Sequence, residues 1–80
     1  MTPYEVRKRM HRAFRNAFDL PDEADRAMSA ALYCDLMECL TLADMHEDGN
    51  PWALAVLEQK LVRLKASPMW KNVEEETNGN

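Results

Sequence analysis

One uninterrupted stretch, residues 21–47, constrains the fold of this chain more than any other feature. After Pro21 no glycine or proline occurs until Gly49, so no residue in between is a helix breaker. Proline in a first helical turn, followed by the acidic residues Asp22 and Glu23, is typical of a helix start, where the backbone dipole is positive. The stretch predicts one helix over 21–47, and about 25 residues at about 1.5 Å each make it roughly 37 Å long.

Helical periodicity divides this predicted helix into two faces. Larger apolar side chains recur at spacings of three and four and predict the core face, with Tyr33 at its edge: Met28, Leu32, Leu36, Cys39, Leu40 and Ala43. The far side carries small residues: Ala27, Ala30, Ala31, Cys34 and Thr41. Small side chains let a second helix approach closely, which makes the far side a candidate dimer or partner surface. The alternative is that these alanines only favour helix formation.

The N-terminal region predicts a shorter helix over 3–18. Thr2 and Glu5 have the spacing of a capping box, with Pro3 at the first helical position. Apolar residues then recur with helical period and predict a second core face: Val6, Met10, Ala13, Phe14, Ala17 and Phe18. Because the connection at Leu20-Pro21 is short, we expect the first two helices to pack antiparallel.

The C-terminal third predicts a helix over 51–66 and a short helical turn near 68–73. Gly49 suits a left-handed cap of the central helix, and Asn50 with Pro51 suits the start of the next one. A leucine seam runs along that helix: Leu54, Leu57, Leu61 and Leu64. After Ser67-Pro68, three apolar residues could fold back onto the bundle: Met69, Trp70 and Val73. The fold class is therefore all-α, a three-helix bundle forming one domain over 1–73, with a polar tail over 74–80 that we expect to be disordered.

Composition limits the classes of partner. The chain has 80 residues, a formal net charge of −4 and a pI near 5.0, which argues against general nucleic-acid binding. Its two cysteines, Cys34 and Cys39, lie five apart on one predicted helix and point away from each other, so they cannot pair there. We expect reduced, inert thiols and a cytoplasmic protein, with no membrane-spanning segment. A second subunit would help so short a chain to bury enough apolar surface, and a homodimer is therefore possible.

The first helix carries the strongest charge asymmetry. Five Lys or Arg residues and His11 fall between positions 7 and 15. Four of them form a candidate nucleic-acid-binding face: Lys8, Arg9, Arg12 and Arg15. Against this, we expect no aromatic residue among the exposed basic positions. We also expect partial neutralisation by acids of the neighbouring helix: Asp22, Glu23, Asp25, Asp35 and Glu38.

Catalytic and metal chemistry is not indicated. The turn over 44–49 imitates the start of a calcium loop, but Ala55 stands where the loop needs a bidentate glutamate. The cysteines and histidines lack the close spacing of zinc ligands. No nucleophile has a base beside it, and neither glycine belongs to a phosphate loop. We therefore predict no cofactor and no enzymatic activity.

Recognition of a protein partner is the predicted function. Trp52, Val56 and Arg63 leave the leucine seam and could form a binding patch, since tryptophan is enriched at interface hot spots. A second patch would consist of Ala27, Ala31 and Cys34 on the central helix. Size and charge together are typical of small regulators, accessory subunits and phage-type inhibitors of host machinery such as anti-defence proteins. The alternative is a nucleic-acid-binding regulator that uses the basic face of the first helix.

Overall fold

The computed structural model describes residues 1–74, which form helices joined by short turns. Helix α1 spans Pro3–Asp19, α2 spans Glu23–Glu47, α3 spans Ala53–Lys65 and α4 spans Trp70–Glu74. This confirms the all-α prediction. Glu74 ends α4, and the rest of the predicted tail lies outside the described residues.

The start of α1 is the predicted capping box. Thr2 Oγ1 accepts a hydrogen bond from the backbone N–H of Glu5 at 3.2 Å, and Glu5 Oε1 accepts one from the N–H of Thr2 at 2.8 Å. The bond from Thr2 lowers the pKa of the Glu5 carboxyl below its usual 4.5, because it favours the charged form. Both hydrogen bonds use backbone donors that the first helical turn leaves unpaired.

The central helix α2 is one unbroken rod, as predicted, but it begins two residues late. Its N-cap is Asp22, whose carboxylate accepts from Asp25 N at 3.3 Å. Placing Pro21 in the first turn was wrong, because an aspartate cap directly follows the proline. Arg26 Nη1 instead donates to the carbonyl oxygens of Leu20 and Pro21, at 2.8 and 3.1 Å, and ties this connection to the helix.

Gly49 ends α2 with a left-handed backbone, as predicted. Its φ is +94°, a conformation that residues with a Cβ rarely adopt. The N–H of Gly49 donates to His46 O and that of Asn50 to Met45 O, both at 3.0 Å. These are the two hydrogen bonds of a Schellman motif, and they satisfy carbonyls at the end of α2.

The predicted start of α3 was wrong. The helix begins at Ala53 rather than Pro51, and its N-cap position is Trp52, which makes no side-chain cap bond. Asn50 Oδ1 accepts from the backbone N–H of Trp52 at 3.0 Å, two residues on, which holds a turn. Asn50 therefore stabilises the connection and not the helix.

Helix α2 lies between α1 and α3, and α4 packs on α1. Arg7 near the start of α1 reaches Asp44 near the end of α2 at 4.0 Å, and Phe14 lies against Tyr33, so α1 and α2 are antiparallel as expected. The core draws on all these helices: Val6, Ala13, Leu32, Leu36, Cys39, Leu42, Ala43, Ala53, Leu57, Leu61, Leu64, Met69, Trp70 and Val73. Met69, Trp70 and Val73 thus fold back onto the bundle as predicted.

The core differs from the predicted one at its margins. Phe14 and Phe18 were assigned to the core but are exposed, and Leu54 of the predicted leucine seam is exposed as well. Met28, Tyr33 and Leu40 are half-buried at its edge, together with Met10. Leu42 and Ser29 were not assigned to it and are buried. Because helices flank α2 on two sides, buried positions spread around more of its circumference than a single face would allow.

Ser29 provides a test of this packing. Its Oγ is fully buried, and no residue between 1 and 74 offers it a hydrogen bond. An unpaired buried hydroxyl costs about 1–3 kcal/mol. We expect Ser29→Ala to raise the free energy of unfolding by about 1 kcal/mol, measured by urea denaturation followed by circular dichroism.

Ser67 is the matched control for that substitution. Its Oγ accepts from Met69 N at 3.2 Å, so Ser67→Ala should lower the free energy of unfolding. A loss of stability in Ser29→Ala would show that the Ser29 hydroxyl is satisfied in the folded protein.

Candidate functional site

A second stripe on α1 faces away from the core, and we call it the outer face of α1. Its members recur at spacings of three, one and three, the pattern of a helix–helix seam: Tyr4, Arg7, Lys8, His11, Phe14, Arg15 and Phe18. Phe14 is 47% exposed and Phe18 is 70% exposed. Sequence reasoning missed this face because it counted both phenylalanines as core. The sequence did contain a signal for this face, because aromatic and cationic residues of α1 recur together at the same helical spacing.

The phenylalanines form an exposed aromatic cluster with Tyr33 of α2. Ring centroids are 5.1 Å apart for Phe14 and Phe18 and 5.5 Å apart for Phe14 and Tyr33, within the range of favourable ring pairs. Beside Tyr33, the surface of α2 continues with Ala30 and Met37, three and four positions away, and with the adjacent Cys34. All three are exposed. The result is one apolar surface across the α1–α2 junction, which we call the aromatic face: Phe14, Phe18, Ala30, Tyr33, Cys34 and Met37.

A groove enters this surface between the two helices. It has a volume of about 290 Å³ and is lined by Arg7, Met10, His11, Phe14 and Tyr33. Its walls are aromatic and its rim is cationic. Such a groove suits an apolar side chain of a binding partner more than it suits a fully enclosed small molecule.

The predicted nucleic-acid-binding residues divide into two groups. Arg9 and Arg12 hold α4: the Arg9 guanidinium lies 5.7 Å from the centre of the Trp70 ring, and Arg12 Nη1 donates to Val73 O at 2.6 Å. Lys8 and Arg15 belong to the outer face, where Lys8 Nζ lies 5.1 Å from the Tyr4 ring centre. Lys8, Arg12 and Arg15 nevertheless line one trough along α1, whereas Arg9 does not. The structure therefore brings three of the four together.

Two expectations about the basic helix were wrong. Aromatic residues do lie among its exposed basic positions, since Tyr4, Phe14 and Phe18 share the outer face. The expected neutralisation by Glu38 also fails, because Glu38 pairs with Lys60 of α3, whose ammonium donates a hydrogen bond to it. That bond lowers the pKa of Glu38 and raises that of Lys60. Asp44 of α2, which was not expected to neutralise α1, is a half-exposed partner of Arg7.

The predicted partner-binding residues occupy several surfaces. Arg63 and Ala31 line one groove of about 310 Å³ between α2 and the end of α3, with Met28, Leu64 and Pro68. The remaining residues lie elsewhere. Trp52 is half-exposed at the start of α3, Val56 is half-buried against the core, and Ala27 and Cys34 are exposed on α2. Their role in binding stays a prediction.

The two cysteines differ in accessibility. Cys34 was expected among apolar neighbours but is exposed, whereas Cys39 is fully buried. Burial raises the pKa of the Cys39 thiol, which further lowers its reactivity. We expect a thiol reagent at neutral pH to label Cys34 quickly and Cys39 only when the protein opens, measured as two kinetic phases.

The controls for thiol labelling are direct. Cys34→Ser should remove the fast phase alone, and denaturant should merge both phases. Equal rates in the native protein would contradict the burial of Cys39.

Within residues 1–74 no group of three or more His, Cys, Asp or Glu side chains is placed to hold a metal ion. None of the helices in that range has the length and apolarity needed to cross a membrane. Comparisons with protein-family models, curated proteins and solved structures found no match to this chain.

Proposed function

We propose that this chain is a non-enzymatic, cytoplasmic helical protein that binds a protein partner and modulates it. The observation that carries the proposal is the aromatic face. The Phe14 ring contacts the rings of both Phe18 and Tyr33, but most of the Phe18 side chain is exposed to water. Contiguous apolar surface of this kind, rimmed by charge, is characteristic of interaction sites.

The position of the face supports this proposal. It lies on α1 and α2, which are long, regular and packed against each other, so its side chains are held on a rigid support. Rigid aromatic anchors lose little conformational entropy on binding and dominate interface energies. The groove beside Phe14 offers a receptor for one apolar side chain of the partner.

Affinity capture from the cells that make the protein tests this function. We expect wild-type protein to retain a defined set of proteins and the double variant Phe14→Ser/Phe18→Ser to lose it. Val62→Ser is the matched control, because Val62 is 72% exposed on α3, away from the aromatic face. If the double variant keeps the whole set, or if wild type retains nothing, the proposal fails.

The sequence-predicted patches need their own variants. Trp52→Ala and Ala31→Glu alter the start of α3 and the α2–α3 groove respectively. Loss of the partners with these variants, and not with Phe14→Ser/Phe18→Ser, would move the binding site to α3. Light scattering of the purified protein measures whether the predicted homodimer forms.

Binding of single-stranded nucleic acid is the second candidate function. Aromatic residues alternate with Lys8 and Arg15 on the outer face of α1, and surfaces of that kind stack bases and hold phosphates. The net charge of −4 and the use of Arg9 and Arg12 to hold α4 make it the weaker candidate. A gel shift with pooled DNA and RNA at low salt should show no retardation if the protein-binding function is correct.

A further inference from the structure

Building on the proposed function, we propose that the partner segment bound by the outer face of α1 is an acidic amphipathic helix. Its apolar side chains would pack on Phe14, Phe18 and Tyr33. Its carboxylates would face Lys8, His11 and Arg15.

The shape of the surface favours a helix as the occupant. The aromatic groove of about 290 Å³ adjoins a cationic trough of about 470 Å³ along α1, lined by Tyr4, Arg7, Lys8, His11, Arg12 and Arg15. Arg7 and His11 line both, so the two lie side by side along α1. The spacing of the outer face is that of a coiled-coil seam, which a second helix fills with residues repeating at three and four.

The charge of the surface favours an acidic occupant. Between Tyr4 and Phe18 the only acidic residue of α1 is Glu5, and its carboxylate is engaged with the backbone N–H of Thr2. Arg7 meets Asp44 at the margin at 4.0 Å, where both side chains are about half-exposed. Arg15 and His11 are exposed. A partner helix with carboxylates beside its apolar seam would complement Arg7, Lys8 and Arg15 and associate faster.

The same charges argue against a second copy of this chain as the occupant. Pairing two outer faces would bring Arg7, Lys8 and Arg15 of one copy towards their counterparts in the other, a like-charge arrangement that disfavours association. Nucleic acid is also a poorer fit, because Arg9 and Arg12 are both engaged with α4, through the Trp70 ring and the Val73 carbonyl oxygen.

Designed peptides test the inference with the full chain. One fluorescent helical peptide carries leucine and phenylalanine at spacings of three and four with glutamate on both flanks. A second is identical except that lysine replaces each glutamate. We expect the glutamate peptide to bind at least about tenfold more tightly than the lysine peptide by fluorescence anisotropy, with an affinity that falls as salt rises.

Variants assign the binding to the outer face. Lys8→Glu/Arg15→Glu should reverse the preference between the two peptides, and Phe14→Ser/Phe18→Ser should weaken the glutamate peptide by about tenfold or more. Val62→Ser should change neither affinity. Because all these side chains are at the surface or nearly so, circular dichroism should show unchanged helix content.

Three results would overturn the inference: no binding of the glutamate peptide, equal affinity for the two peptides, or tighter binding to an oligothymidylate than to the glutamate peptide. These failures can be told apart from failure of the proposed function. If Phe14→Ser/Phe18→Ser abolishes the capture of proteins while Lys8→Glu/Arg15→Glu does not change peptide binding, the proposed function is supported and the acidic helix is wrong.

Discussion

Replacing Trp70 by alanine is expected to lower the free energy of unfolding by about 3–5 kcal/mol, the usual cost of removing a buried tryptophan. Trp70 is 5% exposed, anchors α4 on α1, and lies beneath the Arg9 guanidinium. Globular proteins have a free energy of unfolding of about 0.05–0.15 kcal/mol per residue, which gives roughly 4–12 kcal/mol for a chain of this length. The variant should therefore be close to unfolding at 37 °C, and urea denaturation followed at 222 nm measures the loss.

Trp52 is the matched control for this substitution. It is 52% exposed at the start of α3, so Trp52→Ala removes the same side chain from a surface position. We expect it to cost less than about 1 kcal/mol. Equal losses in the two variants would contradict the anchoring of α4 by Trp70.

Replacing Leu36 by alanine is expected to cost about 2–5 kcal/mol of the free energy of unfolding. Leu36 is fully buried near the middle of α2, the helix against which both α1 and α3 pack. Alanine there would leave a cavity that cannot collapse easily, because rigid helices lie on either side of α2.

Leu54 is the control for Leu36. The sequence places both in apolar helical stripes, but Leu54 is exposed in the structure. Leu54→Ala should cost about 1 kcal/mol or less in the same urea experiment. A large loss for Leu54→Ala with a small one for Leu36→Ala would reverse the assignment of core and surface.

The helices were predictable because their signals are local. The capping box at Thr2, the absence of breakers between Pro21 and Gly49, and the left-handed turn at Gly49 each depend on a few neighbouring residues. The starts of α2 and α3 were less predictable. At each start a proline lies beside a residue whose side-chain oxygen accepts a backbone hydrogen bond, Asp22 or Asn50, and the sequence does not show which of the two neighbours sets the first helical residue.

The aromatic face was not predictable from the apolar pattern alone. Periodicity identifies which residues share a face of α1, but not how far the neighbouring helices cover that face. Val6 and Ala13 are buried in the core, whereas Phe14 and Phe18 remain exposed. The contacts of Arg9 and Arg12 with α4 join residues about sixty positions apart, beyond the reach of any local pattern.

The one-sided support of α3 has a consequence for how the protein opens. α3 packs mainly on α2, whereas α1 is held by both α2 and α4. A fluctuation that detaches α3 therefore leaves α1, α2 and α4 packed together, while exposing to solvent the side chains of α2 that pack on α3. Amide protons of α3 would then exchange through this partial opening, and those in the middle of α1 would wait for complete unfolding.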